Sequence, residues 1–346
     1  MPSLSTQFVG ILVWTLTYSQ SVLAMPTSFE KRQSETVPPY VLSYAPKVWL
    51  HPQDQSFPSD IGAQLVHTKP EVNFKVVDGA PDPLTLDNLA SLNALGGSNV
   101  YLTSVDDVSK NPAWLKGVKP DGNGKTNGAT TAAVIVNDRG SGNVDAYYMY
   151  FYANNPGPIV LGQEVGKHVG DWEHNMIRFK QGVPQAIWYS QHSYGQAFTY
   201  AAVEKQGQRP VAYSAKNTHA TYATTGTHDY TIPGVNIPVG PLKDYCDQGI
   251  LWDPVASAYF YSYSAASNTF KAYDGTSPTS WLDFLGKWGD QEYPDSDPRQ
   301  KKIFGIDATA KYTSGPTGPQ DKSLNRRDVC LPKENRACFV SPFIRP

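Results

Sequence analysis

The chain has 346 residues, a net charge of −2, 28 glycines, 28 prolines and 21 tyrosines. A nearly neutral chain without a concentrated basic patch has no general attraction to nucleic acid, so we expect no nucleic-acid partner. The many turn-forming residues and aromatic side chains are typical of a mainly β protein.

The N-terminal segment predicts a signal peptide over residues 1–24. Residues 8–24 are largely apolar and uncharged, and they end in the small-residue site Val22-Leu23-Ala24. Polar residues at positions 18–21 interrupt the run, which favours cleavage over retention as a membrane anchor. Lys31-Arg32 suggests dibasic processing, so residues 25–39 are predicted to be a propeptide or linker. We therefore expect a secretory-pathway protein, extracellular or vacuolar, with no transmembrane segment in the mature chain.

Residues 40–346 are predicted to form a single β-rich domain, a β-sandwich with a few peripheral helices. Helix-like leucine spacing marks residues 85–95, and a second short helix is expected over residues 280–288. Strand-like runs recur at intervals typical of a sandwich or barrel. The predicted strands cover residues 44–50, 132–136, 145–153, 173–179, 185–189, 198–203 and 210–215.

The three cysteines predict one disulfide and one remaining thiol in an oxidising compartment. A bond between Cys330 and Cys338 would close a short C-terminal loop, whereas a bond from Cys246 to either would join the tail to the body. The sequence leaves these pairings open.

The segment G-K-H-V-G-D-W-E-H at residues 166–174 is the strongest candidate for a functional site. On a strand, Asp171 and Glu173 would point to one side, and Trp172 and His174 to the other. His168 is expected on a preceding loop that folds back toward the carboxylates. Oxygen ligands favour Mg²⁺, Ca²⁺ or Mn²⁺, while Zn²⁺ is less favoured although the imidazole allows it.

Three further histidines, His192, His219 and His228, follow in segments rich in Ser, Thr, Gly and Tyr. They could form an outer ring of hydrogen-bonding or ligand-binding imidazoles around a metal. Alternatively, each could satisfy buried backbone groups locally. For Asp171 and Glu173 together the functional interpretation is favoured, because two same-side carboxylates are costly to bury without a partner.

Catalytic alternatives rest on weaker patterns. Ser190 and Ser193 flank His192 at short spacing, but no G-x-S-x-G elbow accompanies them. The separation expected for Asp171 and Glu173 is compatible with a glycosidase carboxylate pair. Tyr148, Tyr150 and Tyr152 are predicted to be core residues rather than sugar-stacking surfaces.

Several segments in order resemble the fungal vacuolar protein sorting-associated protein 62 family. They include YAPKVWLHPQDQSFPSDIG, GKHVGDWEHNMIRF, NTHATYATTGTHDY, LWDP, KWGD and GPTGPQDK, and they span residues 44–330. The resemblance implies a part in protein delivery to the vacuole and implies no particular biochemical activity.

The motif is also similar to the G-H-R-H-D-W-E heptapeptide of necrosis- and ethylene-inducing peptide-like toxins. In that β-sandwich family the first His, the Asp and the Glu bind a divalent metal with an upstream Asp, and the region engages plant sphingolipid headgroups. The resemblance implies that His168, Asp171 and Glu173 are metal ligands, with Asn154 or Asn155 replacing the upstream Asp. Lys167 and Gly170 depart from the toxin pattern.

Three hypotheses follow. The first is a secretory-pathway protein whose divalent-metal site, comprising His168, Asp171, Glu173 and Asn154, binds a polar lipid headgroup or a glycan. The second is a metal-dependent hydrolase or lyase acting on a glycan. The third is a sorting factor in which the motif is purely structural. The absence of a recognisable nucleophile favours binding over catalysis.

Overall fold

The computed structural model describes residues 36–229, 242–332 and 337–344. The predicted signal peptide, Lys31-Arg32 and most of the predicted linker lie outside these residues. The first helix begins at Pro39, the last residue assigned to that linker.

Strands form most of the regular structure, and the prediction of a mainly β fold is confirmed. In chain order they are β1 (Lys47–Leu50), β2 (Thr68–Val72), β3 (Lys75–Val76), β4 (Tyr101–Ser104), β5 (Ala132–Asp138), β6 (Asn143–Asn155), β7 (Ile159–Val160), β8 (Gln163–Glu164), β9 (His168–Lys180), β10 (Val183–Gln191), β11 (Tyr194–Thr199), β12 (Lys205–Gln206), β13 (Arg209–Ser214), β14 (Thr221–Tyr222), β15 (Gly226–Asp229), β16 (Lys243–Cys246), β17 (Ile250–Trp252), β18 (Ala258–Ser264), β19 (Thr269–Ala272) and β20 (Val340–Ser341).

The largest sheet has the strand order β19-β18-β5-β6-β9-β10-β11-β20. Its centre is the long antiparallel pair β6 and β9, which runs in one register from Asn143 opposite Lys180 to Asn155 opposite His168. The predicted site motif therefore lies in the middle of the sheet, at one end of its longest strand pair.

A smaller sheet, in the order β12-β13-β1-β17 with β14 also paired to β13, covers one face of the large sheet. Val48, Ala212 and Trp252 from the smaller sheet share a core with Tyr148, Tyr150 and Tyr152 of β6. These three tyrosines are buried, as predicted. The two sheets thus form a sandwich filled with aromatic side chains.

Short helices and loops cover the opposite face of the large sheet. Leu89, Leu92 and Trp281 from this layer pack against Phe151 and Trp172 of the sheet. The α-helices are Pro39–Ser43 and Ala63–Val66, and the 3-10 helices are Leu89–Ala94, Gly97–Asn99, Val108–Lys110, Ala113–Lys116, Pro254–Ser257, Ser280–Asp283, Ile303–Gly305, Asp307–Thr309 and Pro319–Asp321. Within the described ranges, no helix is long and apolar enough to cross a bilayer.

The two helices predicted from sequence are shorter than expected. Leu86, Leu89, Leu92 and Leu95 recur every three residues, and this is the period of a 3-10 helix rather than an α-helix. Only residues 89–94 are helical, and Leu95 is exposed. The segment expected to be helical over 280–288 forms a 3-10 helix only from Ser280 to Asp283.

Most predicted strands appear within one to a few residues of the expected bounds, and two details are wrong. The strand expected over 198–203 runs instead from Tyr194 to Thr199, and a turn follows it. His168 is the first residue of β9, not part of a preceding loop.

The structure pairs Cys330 with Cys338 and leaves Cys246 as a buried free thiol. This is the short-loop alternative among the three pairings that the sequence left open.

Candidate functional site

The motif on β9 divides its side chains between the two faces of the sheet, as the strand alternation predicts. Trp172 faces the helical layer and packs on Phe151, with ring centroids 4.7 Å apart, and on Trp288 at 5.4 Å. Asp171 and Glu173 face the smaller sheet, and both are buried. The aromatic side fixes the position of the strand, and the acidic side carries the candidate chemistry.

Asp171 accepts hydrogen bonds from two buried side chains. Asn155 Nδ2 donates to Asp171 Oδ2 over 2.9 Å, and His219 Nδ1 lies 2.9 Å from the same oxygen. His168 Nε2 lies 3.6 Å from the other oxygen, Asp171 Oδ1. Although burial acts to raise it, the neighbouring imidazoles of His168 and His219 hold the pKa of the Asp171 carboxyl well below its usual range.

His219 links Asp171 to a second acid from a distant part of the chain. Its Nε2 lies 3.8 Å from Asp54 Oδ2, and its ring stacks on Tyr152 with centroids 3.8 Å apart. Burial acts to lower the pKa of His219, but Asp171 and Asp54 outweigh it and raise the pKa above the usual value. The two carboxylates thus favour the charged form of this imidazole.

The orientation of His168 is set by its backbone neighbour. Its Nδ1 lies 2.8 Å from the carbonyl oxygen of Gly166, so the proton of the neutral ring belongs on Nδ1. Nε2 then presents a lone pair toward Asp171 Oδ1. Two acceptors facing each other in this way need a proton or a cation between them.

Glu173 has a different environment from Asp171. The Ser190 hydroxyl donates a short hydrogen bond to Glu173 Oε2 and accepts one of 2.7 Å from the backbone N–H of His174. Burial and the charge of Asp171 raise the pKa of Glu173 to about 7. At neutral pH Asp171 is therefore fully ionised, whereas Glu173 is only partly ionised.

This difference predicts that Glu173 lowers stability as the pH rises. Because its pKa is raised from 4.5 to about 7 on folding, its stabilising contribution is full below pH 4.5 and is lost as the pH passes 7. The loss is at most about 3 kcal/mol, at 1.36 kcal/mol per pKa unit. In EDTA, Glu173→Gln should be more stable than wild type at pH 7.5 but not at pH 4.5, as measured by urea denaturation.

Glu164→Gln, which alters a carboxyl whose side chain is 37% exposed, is the control for removing one charge. An equal pH dependence in wild type and Glu173→Gln would contradict the prediction.

The other predicted histidines form a separate hydrogen-bonded group next to this one. His192 Nε2 lies 2.7 Å from Asp244 Oδ2, and Tyr222 donates its hydroxyl to the same oxygen. His228 stacks on Tyr222 with ring centroids 3.9 Å apart. Burial acts to lower the pKa of His192, but Asp244 and the charge of Glu173 raise it overall. His192 therefore interacts electrostatically with Glu173 and Asp171 as well as with Asp244. His228 contacts this group by stacking on Tyr222.

Asn154 lies in a small cavity beside His168, while its neighbour Asn155 contacts Asp171. The cavity of about 10 Å³, enough for one water molecule, is also lined by Lys167, Asp290 and Tyr293. Within the described part of the chain, Asn154 Oδ1 has no hydrogen-bond donor. The four predicted metal ligands are therefore not gathered around one point. Asp171 lies against His168 Nε2, whereas Asn154 lies in the cavity beside His168.

His168, Asp171 and His219 are brought together, but a closed metal site is not evident. In residues 36–229, 242–332 and 337–344 no three His, Cys, Asp or Glu side chains are arranged to hold a metal ion. Sequence reasoning missed Asp54 and Asp244 as direct partners, and it gave Asn155 only as an alternative to Asn154. Asp54 lies in the segment HPQDQSFPSD, which carries part of the family resemblance but no periodic signal.

The fold and site together define a β-sandwich protein with buried acids and histidines at the end of its central strand pair. The family model for vacuolar protein sorting-associated protein 62 matches residues 158–310. A putative vacuolar protein sorting-associated protein, TDA6, of Saccharomyces cerevisiae is 37% identical, covering 85% of this chain and 68% of the yeast protein. Vacuolar protein sorting-associated protein 62 of the same yeast is 33% identical, covering 86% of this chain and 68% of its own. The chain belongs to the vacuolar protein sorting-associated protein 62 family.

Solved toxin structures overlap the chain more weakly. Necrosis and Ethylene inducing Protein 2 from the causal agent of cocoa's Witches Broom disease is 16% identical, with a TM-score of 0.28 over 55% of this chain and 69% of its own. NLPPya in complex with glucosamine is 13% identical, with a TM-score of 0.26 over 53% of this chain and 66% of its own. At these TM-scores the overlap supports no conclusion about function.

Proposed function

We propose that this protein acts in the secretory pathway, in delivery to the vacuole, by binding a polar headgroup at a membrane surface through a divalent cation. His168 and Asp171 would hold the cation first, and Glu173 and Asn154 would have to turn toward it to complete the ligand set. His192, His219 and His228 would support the ligands through hydrogen bonds and packing. The names of the two yeast relatives support the vacuolar role.

The pair formed by His168 and Asp171 carries the metal proposal. Two ligands of one cation, each about 2.0–2.4 Å from it, are typically about 3–3.6 Å apart. The separation of 3.6 Å between His168 Nε2 and Asp171 Oδ1 suits a shared ion. The bond from Nδ1 to a backbone carbonyl is also how metal-binding histidines are usually oriented. The carboxylate and amide oxygens favour Mg²⁺, Ca²⁺ or Mn²⁺ over Zn²⁺.

Exposed apolar side chains on the hairpin that precedes β9, and on the loop bonded to it, support a membrane headgroup over a free glycan. The hairpin of β7 and β8 exposes 66% of Ile159 and 80% of Leu161, and the neighbouring loop exposes 87% of Phe304. Gln163 Nε2 joins the two loops by donating to the carbonyls of Lys301 and Thr309, each at 3.3 Å. Apolar loop tips next to a polar site are typical of surfaces that rest on a bilayer.

The proposal is tested by metal uptake and vesicle binding. After EDTA dialysis, wild type should take up one equivalent of Mg²⁺, Ca²⁺ or Mn²⁺ and His168→Ala should not, as measured by calorimetry. With cation, wild type should float with sphingolipid-containing vesicles, and the double variant Leu161→Asp/Phe304→Asp should lose at least tenfold in binding. Val183→Asp, at a 58% exposed apolar position where β10 begins, far from His168 along the strands, is the matched control.

Absence of divalent-metal uptake by wild type at millimolar concentration would contradict the metal site. Metal uptake without cation-dependent flotation would contradict the headgroup.

A purely structural motif is the second candidate, because Asp171 already accepts from Asn155 and His219. Under that alternative, His168→Ala lowers the melting temperature equally in EDTA and in excess cation. Any sorting defect then follows stability alone.

A further inference from the structure

The face of β9 opposite the acidic site contains a buried guanidinium group, that of Arg326, which is 3% exposed. Within the described residues none of its three nitrogens has a hydrogen-bond partner of ordinary geometry, although the nearby Tyr147 hydroxyl favours its charged form. Both ring nitrogens of His174 and the indole nitrogen of Trp188 are also buried, and they too have no partner among the described residues. Groups of this kind normally find partners when buried, because their loss of water is otherwise uncompensated.

These groups lie together in a cluster that we name the Arg326 cluster and define by Tyr147, His174, Trp188 and Arg326. The guanidinium carbon lies 5.2 Å from the ring centre of Tyr147 and 5.4 Å from that of Trp188. The rings of Tyr147 and His174 have centroids 6.4 Å apart. The two aromatic faces attract the cation, but they do not accept from the N–H groups at its edge.

The nearest buried carboxylate is already occupied by other arginines. Asp145 accepts from Arg178 at 2.7 and 2.8 Å and from Arg139 at 3.3 Å. The same two side chains also donate to the backbone oxygen of Arg326, at 3.3 Å and 3.0 Å respectively. Asp145 is thus shared by two other guanidinium groups, and no carboxylate among the described residues accepts a hydrogen bond from Arg326.

Arg326 is also prevented from turning outward to water. Leu324 and Val329, on either side of it in the chain, are buried in the core cluster of the helical layer. The chain continues directly into the disulfide between Cys330 and Cys338. By contrast, the next residue, Arg327, has a side chain that is 92% exposed. The burial of Arg326 is therefore built into the packing of this segment.

We propose that the Arg326 cluster binds a small inorganic oxyanion of the phosphate or sulfate class. A planar guanidinium presents paired N–H groups that match two oxygens of such an anion. The indole N–H of Trp188 and the ring of His174 can add further donors. The site lies on the other side of the sheet from Asp171 and Glu173, and it does not depend on the proposed headgroup function.

The test is the stability of the full chain in phosphate at constant ionic strength. Wild type and Arg327→Met should show a saturable rise in melting temperature of about 5 °C at a hundredfold excess over the dissociation constant. Arg326→Met should show no saturable rise, and in phosphate-free buffer it should be at least as stable as wild type. A crystal of wild type soaked in selenate should show an anomalous peak beside Arg326.

An equal rise in melting temperature in Arg326→Met, or no rise in wild type, would overturn the proposed anion site. It would indicate that the guanidinium of Arg326 contacts water and no anion. If Arg326→Met does not fold, phosphate released on denaturing dialysed wild type is measured instead. Less than about 0.1 equivalent of released phosphate, with no selenate peak, then overturns the proposal.

Discussion

Replacing Gly170 by alanine should cost about 4 kcal/mol of folding free energy. Gly170 has φ +67°, and a Cβ atom at this position would lie 2.1 Å from the backbone oxygen of Trp288. The left-handed conformation costs a residue with a Cβ about 1–2 kcal/mol, and forced overlap adds about 1–3 kcal/mol. Because the obstacle is backbone, rotation of a side chain cannot relieve it. Urea denaturation measures the loss.

Gly166→Ala is the matched control, since Gly166 has φ +74° and nothing within 4 Å of the added carbon. It should lose only about 1 kcal/mol. Equal losses in the two variants would show that the contact with Trp288 is unimportant. Gly170 stands where the toxin motif has its second histidine. In this chain the Cβ atom of a histidine would meet the same backbone oxygen of Trp288.

Replacing Asp171 by alanine should cost about 3–5 kcal/mol, the usual penalty for removing one member of a buried charged network. The change leaves Asn155 Nδ2 and His219 Nδ1 without their shared acceptor in a buried site. The measurement is urea denaturation in EDTA at pH 7, so that any effect of bound cation is absent.

The double variant Asp171→Ala/His219→Ala tests whether the two side chains act together. It should lose clearly less than the sum of the two single variants, because the unpaired imidazole is removed with its acid. Strict additivity, or a loss below 1 kcal/mol for Asp171→Ala, would contradict the network.

Local patterns allowed much of the fold to be predicted. The alternation that places Asp171 and Trp172 on opposite faces is a property of one extended segment, and it needs no knowledge of the rest of the chain. The tyrosines of β6 were likewise predictable as core. Leucines spaced by three residues predicted a helix but overestimated its length, because an exact spacing of three is the period of a 3-10 helix, which is usually short.

The partners in the site could not be predicted because folding brings them from remote positions. Asp54, His219 and Asp244 reach β9 or its neighbours only through the packing of the two sheets. Within β6, a difference of one residue decides whether Asn154 or Asn155 faces Asp171. Arg326 belongs to a short charged run, a pattern that predicts a solvent-exposed segment. Its side chain is buried because Leu324 and Val329, on either side of it, pack in the core.

The parallel strand pairings have a consequence for how this protein is made. Lys47 of β1 lies beside Val211 of β13, Ala132 of β5 beside Ala258 of β18, and Ala197 of β11 beside Val340 of β20. Each pairing closes a loop of more than a hundred residues, and such loops slow folding because their closure entropy is lost before the contacts form. Strand β20 cannot pair with β11 until Val340 has emerged from the ribosome. We therefore expect the edges of the large sheet to stay open, with aromatic side chains exposed to chaperones, while the intervening residues are synthesised.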